Sequence, residues 1–172
     1  MKSTIPKKAA VSVVVLPSPD PQFLILKRAI HPDDPWSGHY AFPGGGYEPH
    51  DGSMLNCAIR ETQEECGLHL SPRQLVRELP VKIAGNYLGK PVSVYPFIFH
   101  ISRKPRLCLH PREVAEVEWL SRSYIENPSN RTSRAFSPRY EDRQFPCIVV
   151  PNGYVWGFTY ELLMQVVELD GP

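Results

Sequence analysis

The chain reads as an α/β fold in which a mixed β-sheet is sandwiched between helices. Short β-branched runs recur along its length, and two amphipathic helical segments stand far apart, one ending near Cys66 and one over Thr159 to Leu169. Short strands interspersed with separated helices bury their apolar sides best as a sheet between helical layers. With 172 residues the chain is long enough for one well-buried domain and short for two, so a single domain over 1–172 is expected.

The elements follow in order. Ala9 to Leu16 and Phe23 to Arg28 are apolar, β-rich runs around Pro17-Ser18-Pro19-Asp20-Pro21, a strand, a rigid turn and a strand. Lys7-Lys8 before that first run has the outline of a signal peptide. The run is short, contains Ser12 and ends at Pro17 without a small-residue cleavage site, so a buried strand is the better reading. A long loop, Ala29 to Tyr40, leads to a second loop, Phe42 to Asp51. There Gly44, Gly45 and Gly46 allow positive φ and close approach of a ligand to the backbone.

Ser53 or Asp51 can cap the helix that follows, and Gly67 stops it after Cys66. Leu55, Ala58, Ile59, Thr62 and Cys66 recur on its apolar face, with Glu61 and Glu65 to one flank. Val76 to Ile83 and Val92 to Ser102 read as strands, the second marked by Pro96 as an edge or a bulge. Val114 to Leu120 is another. Ser121 to Tyr140 is polar and proline-rich, a surface loop with at most one helical turn and a candidate substrate lid. Gln144 to Val150, a Pro151-Asn152-Gly153 turn and Tyr154 to Trp156 form a hairpin before the closing helix.

Composition excludes several classes. A net charge of +1 gives no footprint for nucleic acid, and no run approaches the roughly 20 apolar residues of a membrane span. Cys57, Cys66, Cys108 and Cys147 lack metal-ligand spacing and read as reduced, buried thiols of a cytoplasmic protein. The Asn130-Arg131-Thr132 sequon carries little weight without signs of secretion.

The chemistry concentrates in Arg60-Glu61-Thr62-Gln63-Glu64-Glu65, shortly after Phe42-Pro43-Gly44-Gly45-Gly46. At about 3.6 residues per turn Glu61 and Glu65 stack on one helix face with Glu64 beside them. Carboxylates so placed repel, and a divalent cation with oxygen ligands offsets that cost, commonly sharing its coordination with substrate phosphates. Arg60 lies one turn before Glu64 and can orient that carboxylate. Among the neighbours of the glycine run, His31, His39, His50 and Tyr47 could touch a nucleotide or its leaving group but read rather as plain loop residues, and Trp156 reads as a core anchor in preference to a base-stacking residue.

From Gly46 to Leu68 the chain resembles the Nudix box, G-x5-E-x7-R-E-U-x-E-E-x-G-U with U aliphatic. Arg60, Glu61, Glu64, Glu65, Gly67 and Leu68 hold their family positions, while Thr62 replaces an aliphatic residue. The first half departs, because the early glutamate slot falls on Gly52 or, with one extra residue before Arg60, on Asp51. Leu24, Arg28, Gly38 and Phe42-Pro43-Gly44-Gly45 further resemble the coenzyme A diphosphatase branch, although Asp34 stands where its second arginine is usual and Leu26 where its threonine is.

The resemblance implies a Nudix α/β/α sandwich and a pyrophosphohydrolase dependent on Mg²⁺ or Mn²⁺. Its substrate would be a small-molecule nucleoside diphosphate linked to another moiety, such as coenzyme A, ADP-ribose or a nucleotide sugar. It assigns Glu61 and Glu65 as metal ligands, Glu64 as a third ligand or a carboxylate held by Arg60, and a carbonyl near Gly45 to complete the site. Arg28 and Gly44 to Gly46 would meet the substrate. The catalytic base would be a box glutamate such as Glu64, or Glu113, with Glu116 as fallback. Many relatives pair up, which leaves room for a homodimer, and a nucleotide-sensing domain without catalysis is the alternative function.

Overall fold

Strand β1, Lys7–Leu16, carries Val13, Val14 and Val15 without solvent contact, the pattern of a strand covered on both faces. The structure, a computed structural model, describes residues 7–32, 34, 36–85, 89–136 and 143–169. Strand β2, Gln22–Arg28, meets only the end of β1, at Val15 and Leu16. After β3, Tyr40–Ala41, comes β4, Gly44–Gly46, which pairs antiparallel with the start of β1 at Ala9 to Val11. The glycine run is therefore a strand and not a free loop. Its lack of side chains lets it lie close between β1 and the next helix.

That helix, α1, is Met54–Cys66 and ends where expected, at Gly67 with φ +69°; of the two residues open as its cap, Ser53 serves, accepting from Asn56 N–H at 3.1 Å. Where one strand was expected over Val76 to Ile83 there are two, β5 Leu75–Glu78 and β6 Lys82–Ala84, both on β7, Val92–His100. β7 runs parallel to β1, so Pro96 is interior to the sheet and not on an edge strand. N and O of one residue point to the same side of a strand. The Pro96 carbonyl accepts from Leu79 N at 3.0 Å, so its missing N–H falls on that side too, where β5 and β6 are interrupted.

Strand β8, Val114–Ser121, pairs with β2 and completes an eight-stranded mixed sheet. The segment expected as a surface loop is more ordered than its composition suggests. It holds α2, Arg122–Glu126, with Ile125 wholly buried, and β9, Arg131–Arg134. Its end, with the Pro138 cluster, lies outside the described residues. β9, β10 (Phe145–Val150) and β11 (Gly153–Trp156) form a second, antiparallel sheet, followed by α3, Gly157–Leu169.

Alternation along β1 divides the core. Ala10 and Val14 face α1 with Leu24, Leu26, Cys57 and Ala58, while Val13 and Val15 join Ile148, Leu162 and Val166 under α3 and the small sheet. Each buried aliphatic side chain contributes roughly 1.5–3 kcal/mol, so the two layers clamp the central sheet. On the α1 side Ser12 donates to the Ala58 carbonyl at 3.1 Å and lies 2.8 Å from the Thr62 hydroxyl, a polar clip between β1 and α1. Cys57, Cys66 and Cys147 are buried as expected, and Cys108 is exposed, contrary to expectation, because its neighbours Leu107 and Leu109 are the residues that pack against the α1 side of the core. Among the described residues no helix is long and apolar enough to cross a membrane.

Candidate metal and phosphate site

The site forms where α1 crosses the glycine strand. Gly44 N–H donates to Glu65 Oε2 at 2.8 Å. A side chain at Gly45 would put its Cβ 2.4 Å from the Glu61 carboxyl carbon, so that carboxylate rests on bare backbone. Glu61 and Glu65 thus lean on adjacent residues of one strand.

Glu65, expected on the helix flank, is buried at 8% exposure, because β4 covers that side of α1. Burial pushes its carboxyl up to about 8; the charges of Glu61 and Glu113 add to this, while the Gly44 N–H and Arg28 oppose it. Burial also raises Glu61, with Glu64 and Glu113 adding and Arg60 opposing. Two carboxyls whose charged forms are both disfavoured suit a hard divalent cation, which would supply the missing countercharge. Among the described residues no three His, Cys, Asp or Glu side chains are gathered as a metal cluster, so the fit is to two carboxylates, with backbone, solvent or phosphate oxygens for the rest.

Arg60 ties the acids to the loop before the helix. Its Nε and Nη2 reach Asp51 Oδ1 and Oδ2 at 2.6 and 3.1 Å, and Nη1 lies 2.9 Å from both Glu61 Oε1 and Glu64 Oε2. Nη2 also donates to the Gly46 carbonyl at 3.1 Å. The Arg60 fork brings Asp51 down to about 2 against the opposing effect of burial. A 3-10 turn, Pro49–Asp51, tucks that side chain inward: Glu48 N–H donates to Asp51 Oδ2 at 2.8 Å. Of the two residues open for the early acidic slot, Asp51 fills it; Gly52 only closes the turn, at φ +70°.

The other wall comes from the end of β2 and the turn before β8. Arg28 Nη2 meets Asp34 Oδ2 at 2.8 Å, and Asp34 Oδ1 accepts from Trp36 N–H at 3.0 Å. Burial alone would raise Asp34, and these donors outweigh it. Ala29 N–H donates to the Glu113 carbonyl at 2.8 Å, and His110 N–H to the Glu65 carbonyl at 2.9 Å. The His31 ring contacts the Arg112 carbonyl.

These walls enclose a cavity of about 350 Å³. Arg28, Gly44, Gly45, Arg60, Glu61, Glu64, Glu65 and Glu113 all line it. Gly46 does not, and serves through its carbonyl on Arg60. Glu116 points elsewhere, to Lys27 at 3.3 Å and Asn152, which removes the fallback base. Of the four residues read as plain loop, His31 lines the cavity. Trp156, read as a core anchor, is only half-buried and stacks on Phe136 at 4.2 Å with His39 against its edge. Asp34 and Arg112 also line the cavity without having been assigned a site role from sequence. Asp51 was one of two candidates in the sequence, where the spacing to Arg60 favoured Gly52 and only the residue type favoured Asp51; Arg112 has no local signal.

A family model described as the NUDIX domain matches residues 6–140. The chain is 28% identical over 166 residues to the uncharacterized Nudix hydrolase NudL of Photorhabdus laumondii, covering 94% of this chain and 84% of that protein. It is 32% identical over 87 residues to the NudL of Yersinia pestis, covering 50% of this chain and 43% of the relative. A MutT/nudix family protein from Enterococcus faecalis superposes with a TM-score of 0.68 at 17% identity, over 98% of this chain and 64% of the other, a likeness of fold. This chain thus spans less than two thirds of the last two proteins.

Proposed function

The chain belongs to the Nudix family, and from that premise we propose that it hydrolyses the diphosphate bond of a nucleoside diphosphate linked to another moiety, with Mg²⁺ or Mn²⁺ held by Glu61 and Glu65. The observation that carries this reading is the pair of partly buried carboxylates set against the glycine strand at the cavity wall. A divalent cation there would neutralise phosphoryl oxygens and make a coordinated water more acidic.

The chain's own groups supply the rest. Glu113 lines the cavity half-exposed, with His110 at 3.7 Å as its one ion-pair partner among the described residues, which supports it as the base that takes the proton of the attacking water. Glu64 is engaged by Arg60 at 2.9 Å and serves to hold that guanidinium. Water oxygen bonds to one phosphorus, the anhydride oxygen leaves with the other phosphate, and the water proton passes to Glu113. Arg28, presented by Asp34, orients the substrate. The buried, unpaired thiols support a cytoplasmic setting.

Metal-dependent turnover across coenzyme A, ADP-ribose, nucleotide sugars and dinucleoside polyphosphates, with products identified by mass, tests the reading. Coenzyme A heads the panel because of the Leu24, Arg28 and Gly38 signature. A nucleoside monophosphate or its phosphorylated counterpart is expected as product, with loss of turnover in Glu65→Gln. Absence of metal-dependent product across the panel, or undiminished turnover in that variant, would overturn it; tight binding without turnover would point to a sensing domain.

A further inference from the structure

Three arginines line the cavity beside six carboxylates, Asp34, Glu48, Glu61, Glu64, Glu65 and Glu113. Two of the guanidiniums are already matched. Arg28 forks onto Asp34 through Nε at 3.1 Å and Nη2 at 2.8 Å. Arg60 is shared among Asp51, Glu61 and Glu64. Arg112 differs: its side chain is exposed and has no ion pair or hydrogen bond among the described residues.

The backbone beneath Arg112 is firmly held. His110 N–H is bonded to the Glu65 carbonyl at the end of α1, and the Glu113 carbonyl accepts from Ala29 N–H beyond β2. The Arg112 carbonyl itself meets the His31 ring. The turn is thereby tied to both walls of the cavity, and Arg112, whose guanidinium has no partner among the described residues, is part of the lining. A guanidinium with open donors fits phosphate oxygens, and its placement on a braced turn reduces the ordering cost of the contact.

We propose that Arg112 is a substrate-binding residue that takes the phosphate not engaged at the Glu61 and Glu65 side. This rests on the diphosphate hydrolase reading and deepens it. The cation at the carboxylate pair offsets charge on one phosphate, and Arg112 is the one lining cation left, among the described residues, whose charge is not already taken by a protein acid. Arg112 is therefore a determinant of substrate affinity.

The test is steady-state kinetics of Arg112→Ala and Arg112→Lys on the best-turned-over panel member. Loss of a charge-assisted contact is expected to raise KM about tenfold or more with kcat within about threefold, and lysine should recover part of the loss. Raising salt from about 0.05 to about 0.5 M should shrink the gap between Arg112→Ala and wild type. The exposed side chain and the retained backbone carbonyl should leave the melting temperature close to wild type. An unchanged KM, or a fall in kcat at unchanged KM, would overturn the proposal. Should no panel member be turned over, the reaction reading fails by itself, and calorimetric titration of ADP-ribose with Mg²⁺ still decides for Arg112. A dissociation constant about tenfold weaker in Arg112→Ala supports it; equal constants, or no binding to wild type, overturn it.

Discussion

The Arg60 guanidinium and the Asp51 carboxylate form a two-point fork, Nε to Oδ1 at 2.6 Å and Nη2 to Oδ2 at 3.1 Å, with the Asp51 side chain only 1% exposed. Through Nη1 the same guanidinium reaches Glu61 and Glu64, so the loop before α1 sets the angle at which the acids face the cavity.

Asp51→Ala should destabilise the protein by roughly 3 kcal/mol, since it removes the two-point partner of a largely buried guanidinium, and should lower kcat because Arg60 is then no longer fixed beside Glu61 and Glu64. Urea midpoints and steady-state rates check this. Retained stability and retained activity together would mean that the fork is dispensable.

The fork carries its own pH dependence. Its folded pKa of about 2 lies below that of an unfolded aspartate, so its stabilisation is present above pH about 4 and is lost as pH falls through about 2. The unfolding free-energy difference between wild type and Asp51→Asn should be flat above pH about 5 and shrink steadily below it. A difference that grows on acidification would contradict this assignment.

Glu65 has the opposite sign. Its folded pKa of about 8 lies above that of an unfolded glutamate, so the metal-free protein loses stability as pH rises from about 4.3 towards 8. Glu65→Gln should flatten that decline. Adding Mn²⁺ at pH about 7 should restore stability to wild type and release a proton, read by calorimetry in buffers of different ionisation enthalpy. EDTA should abolish turnover, and no proton release would contradict Glu65 as a ligand.

Gly45→Ala places a methyl group 2.4 Å from the Glu61 carboxyl carbon and must displace it. A misplacement of about 1 Å in such a site costs on the order of 10²-fold in rate, so kcat should fall by about that amount while circular dichroism stays native. Gly44→Ala behaves differently. Its Cβ would meet the Ala10 carbonyl at 2.2 Å, with φ already at +154°, and the expected result is lost stability.

Much of the fold was legible because the signals were local. Apolar, β-rich runs marked β1 and β2, Gly67 marked the end of α1 and Ser53 or Asp51 its start, and the Pro151-Asn152-Gly153 turn marked the last hairpin. Misreadings arose where packing overrode composition. Ser121 to Tyr140 is polar and its one helical turn is α2, but Ile125 is wholly buried there and β9 pairs with β10. Pro96 suggested an edge or a bulge, and the sheet accommodated it by interrupting its neighbour.

The sequence by itself determined the helix, its stop at Gly67 and the one-turn spacing of Glu61 and Glu65, since these follow from residues close in the chain. It also left the early acidic slot between Asp51 and Gly52. Only the tertiary structure decided that Asp51 fills it, that β4 buries Glu65, and that Arg112 lines the cavity with no side-chain ion pair or hydrogen bond among the described residues. Those outcomes depend on burial and on charges brought together from distant segments, and helical or strand periodicity carries no record of either.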